Sequence, residues 1–141
     1  INNEVGIHFA PGAPTPAVGP VTIAGCTFRA VERNISITSP WENITIRNNG
    51  FSMSNQGAIG QPPGDVYVNS DWADPTFALP VKNLLIENNS INNSLSAGIV
   101  AMNSAGSNVT LRRNLVKNTG ILAGMGLQLW LSVKALSLSI R

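Results

Sequence analysis

Ile44-Thr-Ile-Arg-Asn-Asn-Gly-Phe51 decides the fold, because three other stretches lie on it without a gap: Val21-Thr-Ile-Ala-Gly-Cys-Thr-Phe28, Leu84-Leu-Ile-Glu-Asn-Asn-Ser-Ile91 and Val109-Thr-Leu-Arg-Arg-Asn-Leu-Val116. Each reads apolar, x, apolar, x, x, Asn (once Cys), x, apolar. A strand-sized unit that recurs at spacings of roughly 23 to 40 residues is what a solenoid leaves in its sequence.

Within a unit the first two apolar positions are two apart, so both face one side of a strand. The inward columns are Val21, Ile44, Leu84 and Val109, and beside them Ile23, Ile46, Ile86 and Leu111. Thr22, Thr45, Leu85 and Thr110 point outward. Next come Cys26, Asn49, Asn89 and Asn114 at a tight corner. Asn tolerates left-handed backbone there, and its amide is expected to bond the same residue one coil away. Phe28, Phe51, Ile91 and Val116 then open a second short strand, again inward.

A third strand type follows each unit: Gly6-Ile-His-Phe9, Asn34-Ile-Ser-Ile37, Gly64-Asp-Val-Tyr-Val68, Gly98-Ile-Val-Ala-Met102 and Gly126-Leu-Gln-Leu-Trp130. Alternation places Ile7, Ile35, Val66, Ile99 and Leu127 inside and His8, Ser36, Tyr67, Val100 and Gln128 in one outward column. Three short strands per turn, two variable loops and one Asn corner describe an all-β parallel β-helix of about five coils.

Composition agrees. Hydrophobic residues make up 43% of the 141, charged residues 11% and aromatics 6%. The polarity comes largely from 17 Asn with Ser and Thr, which suit turns and corners and disfavour helices. The formal charge of +2 carries no basic run beyond Arg112-Arg113, which argues against nucleic acid as a partner. No apolar run has the length of a membrane span. The one cysteine cannot form an internal disulfide, and in the Asn column it reads as a small buried-corner substitute. Sequons occur at Asn34, Asn43, Asn88, Asn92 and Asn108, but Asn43 and Asn108 arise from the strand pattern itself, so glycosylation is not inferred.

With these cores in place (Ile46/Asn49/Phe51, Ile86/Asn89/Ile91 and Leu111/Asn114/Val116, plus the Gly-Ile strands), the chain resembles the right-handed parallel β-helix family, the pectate-lyase-like superfamily with its Asn ladder. The resemblance covers roughly residues 1 to 130. It implies a fold and leaves the activity open, since the superfamily holds lyases, hydrolases, epimerases, phage spikes and adhesins. Residues 1–141 read as one β-helix segment. The tail Ala135-Leu-Ser-Leu-Ser-Ile-Arg141 reads as a first strand with Leu138 and Ile140 inside, although 131–141 lacks the Asn corner. With no polar cap legible at either end, the expectation is a set of coils belonging to a longer solenoid.

Function in such a solenoid belongs to outward columns and long loops. Two long loops, Ala10 to Pro20 and Asn69 to Pro80, flank a coil that has only Ser39-Pro-Trp-Glu42 at that place. Stacking predicts a groove with Trp41 and Glu42 on its floor and a His8, Ser36, Tyr67 ladder beside it. Trp72 offers a face for a sugar ring. Asp71 and Asp74, three apart, suit acid–base or nucleophile chemistry on a glycoside, or oxygen ligation of Ca2+. Asp65, Tyr67 and His8 complete the catalytic candidates, and Trp72, Trp41, Glu42 and Ser36 the substrate-binding ones. The same residues also have plainer readings: Asp-Trp-Ala-Asp-Pro as turn chemistry, His8 as a polar strand filler.

Polysaccharide lyases take a proton next to a uronate carboxyl with Arg or Lys as base. Here Arg47, Arg112, Arg113 and Lys117 fall at or beyond the Asn corner, away from the groove, where they serve solubility and edge protection. The polygalacturonase pattern of Asp ahead of successive third-type strands is absent; those slots hold Val5, Gln56/Gly57, Ala97 and Ala123. No Cys/His metal spacing and no Ser-His-Asp constellation occurs. The expectation is a secreted, cell-surface or periplasmic segment that binds or degrades a polysaccharide along an axial groove, as hydrolase or lyase. The alternative is a non-catalytic adhesin-like or spike-like repeat module.

Overall fold

The computed structural model describes residues 5–9, 17–29, 33–38, 41–52, 64–69, 81–93, 97–103, 108–118, 127–131 and 138–139. They form fourteen strands: β1 Val5–Phe9, β2 Ala17–Ala24, β3 Thr27–Arg29, β4 Arg33–Ile37, β5 Trp41–Arg47, β6 Gly50–Ser52, β7 Gly64–Asn69, β8 Lys82–Glu87, β9 Ser90–Asn92, β10 Ala97–Asn103, β11 Val109–Arg112, β12 Leu115–Lys117, β13 Leu127–Leu131 and β14 Leu138–Ser139. Three parallel sheets result: β1-β4-β7-β10-β13, then β2-β5-β8-β11-β14, then β3-β6-β9-β12. Every neighbour in a sheet is one coil away in sequence, which is the wrapping of a three-sided β-helix.

Register follows the sequence columns. In the first sheet Ile7, Ile35, Val66, Ile99 and Leu127 lie abreast. In the second, Ile23, Ile46, Ile86, Leu111 and Leu138 do the same, and in the third Phe28, Phe51, Ile91 and Val116. The interior is stacked aliphatics: Ile35, Ile37, Ile44, Ile46, Val66 and Ile86 have no exposed surface. Phe28 and Phe51 stack with ring centroids 5.0 Å apart and planes 12° from parallel. Burying such side chains contributes about 1.5–3 kcal/mol each relative to exposure.

The corner joins the second and third sheets, and its hydrogen bonds form a continuous ladder. Asn49 Nδ2 donates to Asn89 Oδ1 at 3.1 Å and to the Ile23 carbonyl at 3.0 Å. Asn89 Nδ2 repeats this with Asn114 Oδ1 at 2.9 Å and the Ile46 carbonyl at 3.0 Å. The backbone amides of Cys26, Asn49 and Asn89 donate to the Oδ1 of the next rung at 2.9–3.1 Å. Each central amide thus ties three coils.

Four local expectations are corrected. The ladder residues do not themselves take left-handed backbone. The residue before each does: Gly25, Asn48, Asn88 and Arg113, with φ of 67°, 55°, 52° and 54°. The preceding residue makes the bend, which leaves the ladder amide aimed along the axis. Cys26 is exposed, not buried, because it is the first rung of the described ladder. The segment before Val21 is not all loop, since β2 begins at Ala17 and reaches Val21 through a register shift. That shift runs through Gly19, where an added Cβ would lie 2.7 Å from the Val21 nitrogen and 3.0 Å from the Glu42 and Asn43 carbonyls. Finally, Trp41 and Glu42 open β5 and are not a loop.

Candidate functional site

The outer face of the first sheet is where outward polar side chains gather. Register sets two rows across the coils: Gly6, Asn34, Asp65, Gly98, and His8, Ser36, Tyr67, Val100. The second row is the column that alternation gives. Its environment differs from the expectation of an open ladder, because Ser36, Tyr67 and Val100 are buried and only His8 is exposed. Alternation fixes which way a side chain points and is blind to what lies over it.

The buried cluster is polar and partly unsatisfied. Asn34, wholly buried, turns its Nδ2 to Asp65 Oδ1, and Asp65 is wholly buried too. The Arg33 guanidinium lies 4.5 Å from the centroid of the Tyr67 ring, a cation–π contact. Tyr67 also packs with Ala97 and Val100 in a small apolar cluster separate from the interior. Among the described residues, the Arg33 Nε, Asn34 Oδ1 and Ser36 Oγ atoms are buried without a hydrogen-bond partner. Such atoms are rare in folded chains and call for a ligand, a water or a functional explanation. At the first coil His8 Nε2 and Thr38 Oγ1 are 2.8 Å apart. Gly6 is exposed, and a Cβ there would meet the Asn34 carbonyl oxygen at 2.6 Å, so glycine is what lets the two backbones approach this closely.

Sequence reasoning thus brings together His8, Ser36, Asp65 and Tyr67. It misses Arg33, Asn34 and Thr38, although Asn34 and Thr38 share the parity of Ser36 and were legible by the same count. Trp41 is placed elsewhere: its ring meets Phe9 edge-on at 5.0 Å and packs against the interior cluster, so it is no groove floor. Glu42 pairs with Lys82 of the next coil at 3.4 Å. Asp71, Trp72 and Asp74 lie outside the described residues. Among the described residues no three His, Cys, Asp or Glu side chains converge. Among the described residues no helix is long and apolar enough to cross a membrane.

The family model described as a right-handed beta helix region matches residues 2–139, and the chain belongs to that family. Neither the curated proteins nor the solved structures gave a match.

Proposed function

We propose that the chain is a segment of an extracellular or cell-surface carbohydrate-active β-helix, and that a glycan docks on the outer face of the first sheet. The observation that carries this is the cluster of Asn34, Ser36, Asp65, Arg33 and Tyr67 on one outward face, with three polar atoms lacking partners. Sugar hydroxyls both donate and accept, so a polyol satisfies an unpaired amide oxygen, a hydroxyl and a guanidine N–H together. Access is over the first coil, where Gly6 has no side chain and His8 is exposed. Cleavage of a bound chain, by hydrolysis or elimination, needs a second acid–base group besides Asp65. Asp71 and Asp74, which follow β7 in the sequence, are the candidates.

The burial of Ser36, Tyr67 and Val100 favours a second reading, a non-catalytic spacer whose outer face is closed. Binding and reducing-end assays against neutral and uronate polysaccharides, with and without Ca2+, separate the two. Glycan binding that Asp65→Asn and His8→Ala weaken tenfold or more supports docking. If no polysaccharide binds and Asp71→Ala and Asp74→Ala change nothing, the spacer reading stands.

A further inference from the structure

The Asn corner holds a latent reaction as well as a ladder. The side-chain amide of an asparagine is open to attack by the backbone nitrogen of the residue that follows it. Glycine is the most favourable follower, because the missing Cβ leaves that nitrogen unhindered and the backbone free to turn. Asn49-Gly50 is the one Asn-Gly pair in the sequence, and it falls on a ladder rung. The next rung, Asn89-Ser90, has a small follower, and Asn114-Leu115 a bulky one, so intrinsic reactivity declines along the ladder.

In the folded chain each attacking nitrogen is already engaged. Gly50 N donates to the Cys26 carbonyl at 2.9 Å, Ser90 N to the Asn49 carbonyl at 2.9 Å, and Leu115 N to the Asn89 carbonyl at 2.8 Å. The leaving nitrogen of Asn49 is held too, by Asn89 Oδ1 and the Ile23 carbonyl. Each rung is thus guarded by the rung before it, and the guards are unequal. Asn49, which guards Asn89, is 2% exposed. Cys26, which guards Asn49, is exposed, and its thiol turns back to the Ala24 carbonyl at 3.4 Å. The most reactive pair therefore depends on the most exposed guard.

We infer that Asn49 is a site of spontaneous deamidation, gated by the coil of β2 and β3. When these strands part from β5 and β6 by local opening, the Gly50 nitrogen is released and attacks Asn49 Cγ. The new N–Cγ bond closes a five-membered imide, the Cγ–Nδ2 bond breaks, and Nδ2 leaves as ammonia with the proton that Gly50 gives up. Water then opens the imide at either carbonyl, leaving an aspartyl or isoaspartyl residue with no redox change. Both products lose the two Nδ2 donors and set a carboxylate against Asn89 Oδ1 and the Ile23 carbonyl, which have no hydrogen to offer it. The isoaspartyl form also lengthens the main chain by a methylene just before β6, against the pairing of Thr27 with Gly50 and Phe28 with Phe51. A transient opening is thereby made permanent, while the Asn89–Asn114 rungs keep their bonds. The site shares no residue with the outer face of the first sheet, and neither reading depends on the other.

The test is peptide mapping of the whole chain held at mildly alkaline pH, folded and in urea, with isotope-labelled water marking each converted amide. Conversion at Asn49 is expected to be at least about tenfold slower folded than in urea. The ratio of conversion at Asn49 to that at Asn89 is expected to be larger in the folded chain, because in urea only the followers Gly50 and Ser90 set it. Phe28→Ala removes the 5.0 Å ring stack that holds β3 on β6, and is expected to speed Asn49 at least about threefold with Asn89 unchanged. If that variant unfolds, Cys26→Asn decides instead: an amide added to the guard is expected to slow Asn49, and an unchanged rate overturns the inference. Hydrogen exchange in the converted chain is expected to rise in β2 and β3 and to stay unchanged in β8 and β11. Equal Asn49 rates folded and in urea, a ratio no larger in the folded parent, a folded Phe28→Ala without effect, or unchanged exchange in β2 and β3 would each overturn the inference.

Discussion

Two polar regions among the described residues are buried, and they are built on opposite terms. In the Asn ladder the Asn89 amide is used in full: it receives two bonds at Oδ1 from Asn49 and gives two from Nδ2, to Asn114 and to the Ile46 carbonyl. On the outer face of the first sheet, Asn34 gives one bond to Asp65 and its Oδ1 has none, while Ser36 Oγ and Arg33 Nε are likewise alone. A satisfied network stabilises and specifies; a half-satisfied one costs stability. The difference teaches where to look for structure and where for function, because only the second region gains from something the chain does not itself supply.

The comparison is broken most directly at its strong end. Asn89→Ala removes four ladder bonds and strands buried donors of the neighbouring coils, so unfolding in urea is expected to shift by about 4 kcal/mol with an unchanged m-value. A shift below about 1 kcal/mol would show that the ladder is decorative. At the weak end, Ser36→Ala deletes a buried hydroxyl that has no partner, so stability should stay within about 1 kcal/mol of the parent or rise. A loss of several kcal/mol there would mean the hydroxyl is bonded after all, and the contrast would fail.

Extending the ladder sharpens the same point. Cys26→Asn adds a side-chain donor beside Asn49 Oδ1, which already accepts the Cys26 amide at 2.9 Å, and is expected to stabilise by about 0.5–1 kcal/mol in thermal unfolding. The smallest effect belongs to Glu87. The bond from Arg112 Nε holds its carboxyl below the ordinary range, against a lesser opposing effect of burial, and the charges of Arg112, Arg47 and Arg113 add to the lowering. A depressed carboxyl contributes stability above its unfolded pKa, and that contribution is lost as pH falls through the folded one. An NMR titration should place Glu87 below the usual glutamate range and return it there in Arg112→Ala.

Register was legible almost completely, because period-two alternation and a repeated corner residue over-determine which side chains stack. What the corner does was legible in part. Asn49, Asn89 and Asn114 do carry the ladder, but the backbone bend belongs to Asn48, Asn88 and Arg113, and a repeat with two adjacent Asn cannot separate these jobs. Trp41 was misplaced for a related reason: Pro40 suggests a turn, while the pairing of Trp41 with Ala17 begins a strand one residue later. The candidate site was the least legible. Ser36 and Tyr67 were found by parity, yet their burial depends on what covers the sheet, and the cation–π partner Arg33 sits at a strand end where parity carries little weight.

The ladder also has a bearing on how this chain tolerates change in length. Successive rungs join residues 23, 40 and 25 apart, yet at each the backbone amide of one rung donates to the Oδ1 of the next. Going from a 23-residue to a 40-residue closure costs only about 0.5 kcal/mol of chain entropy, less than one good hydrogen bond returns. Insertions between rungs are therefore nearly neutral to the frame, and a coil can exchange one outer segment for another while its neighbours keep their places.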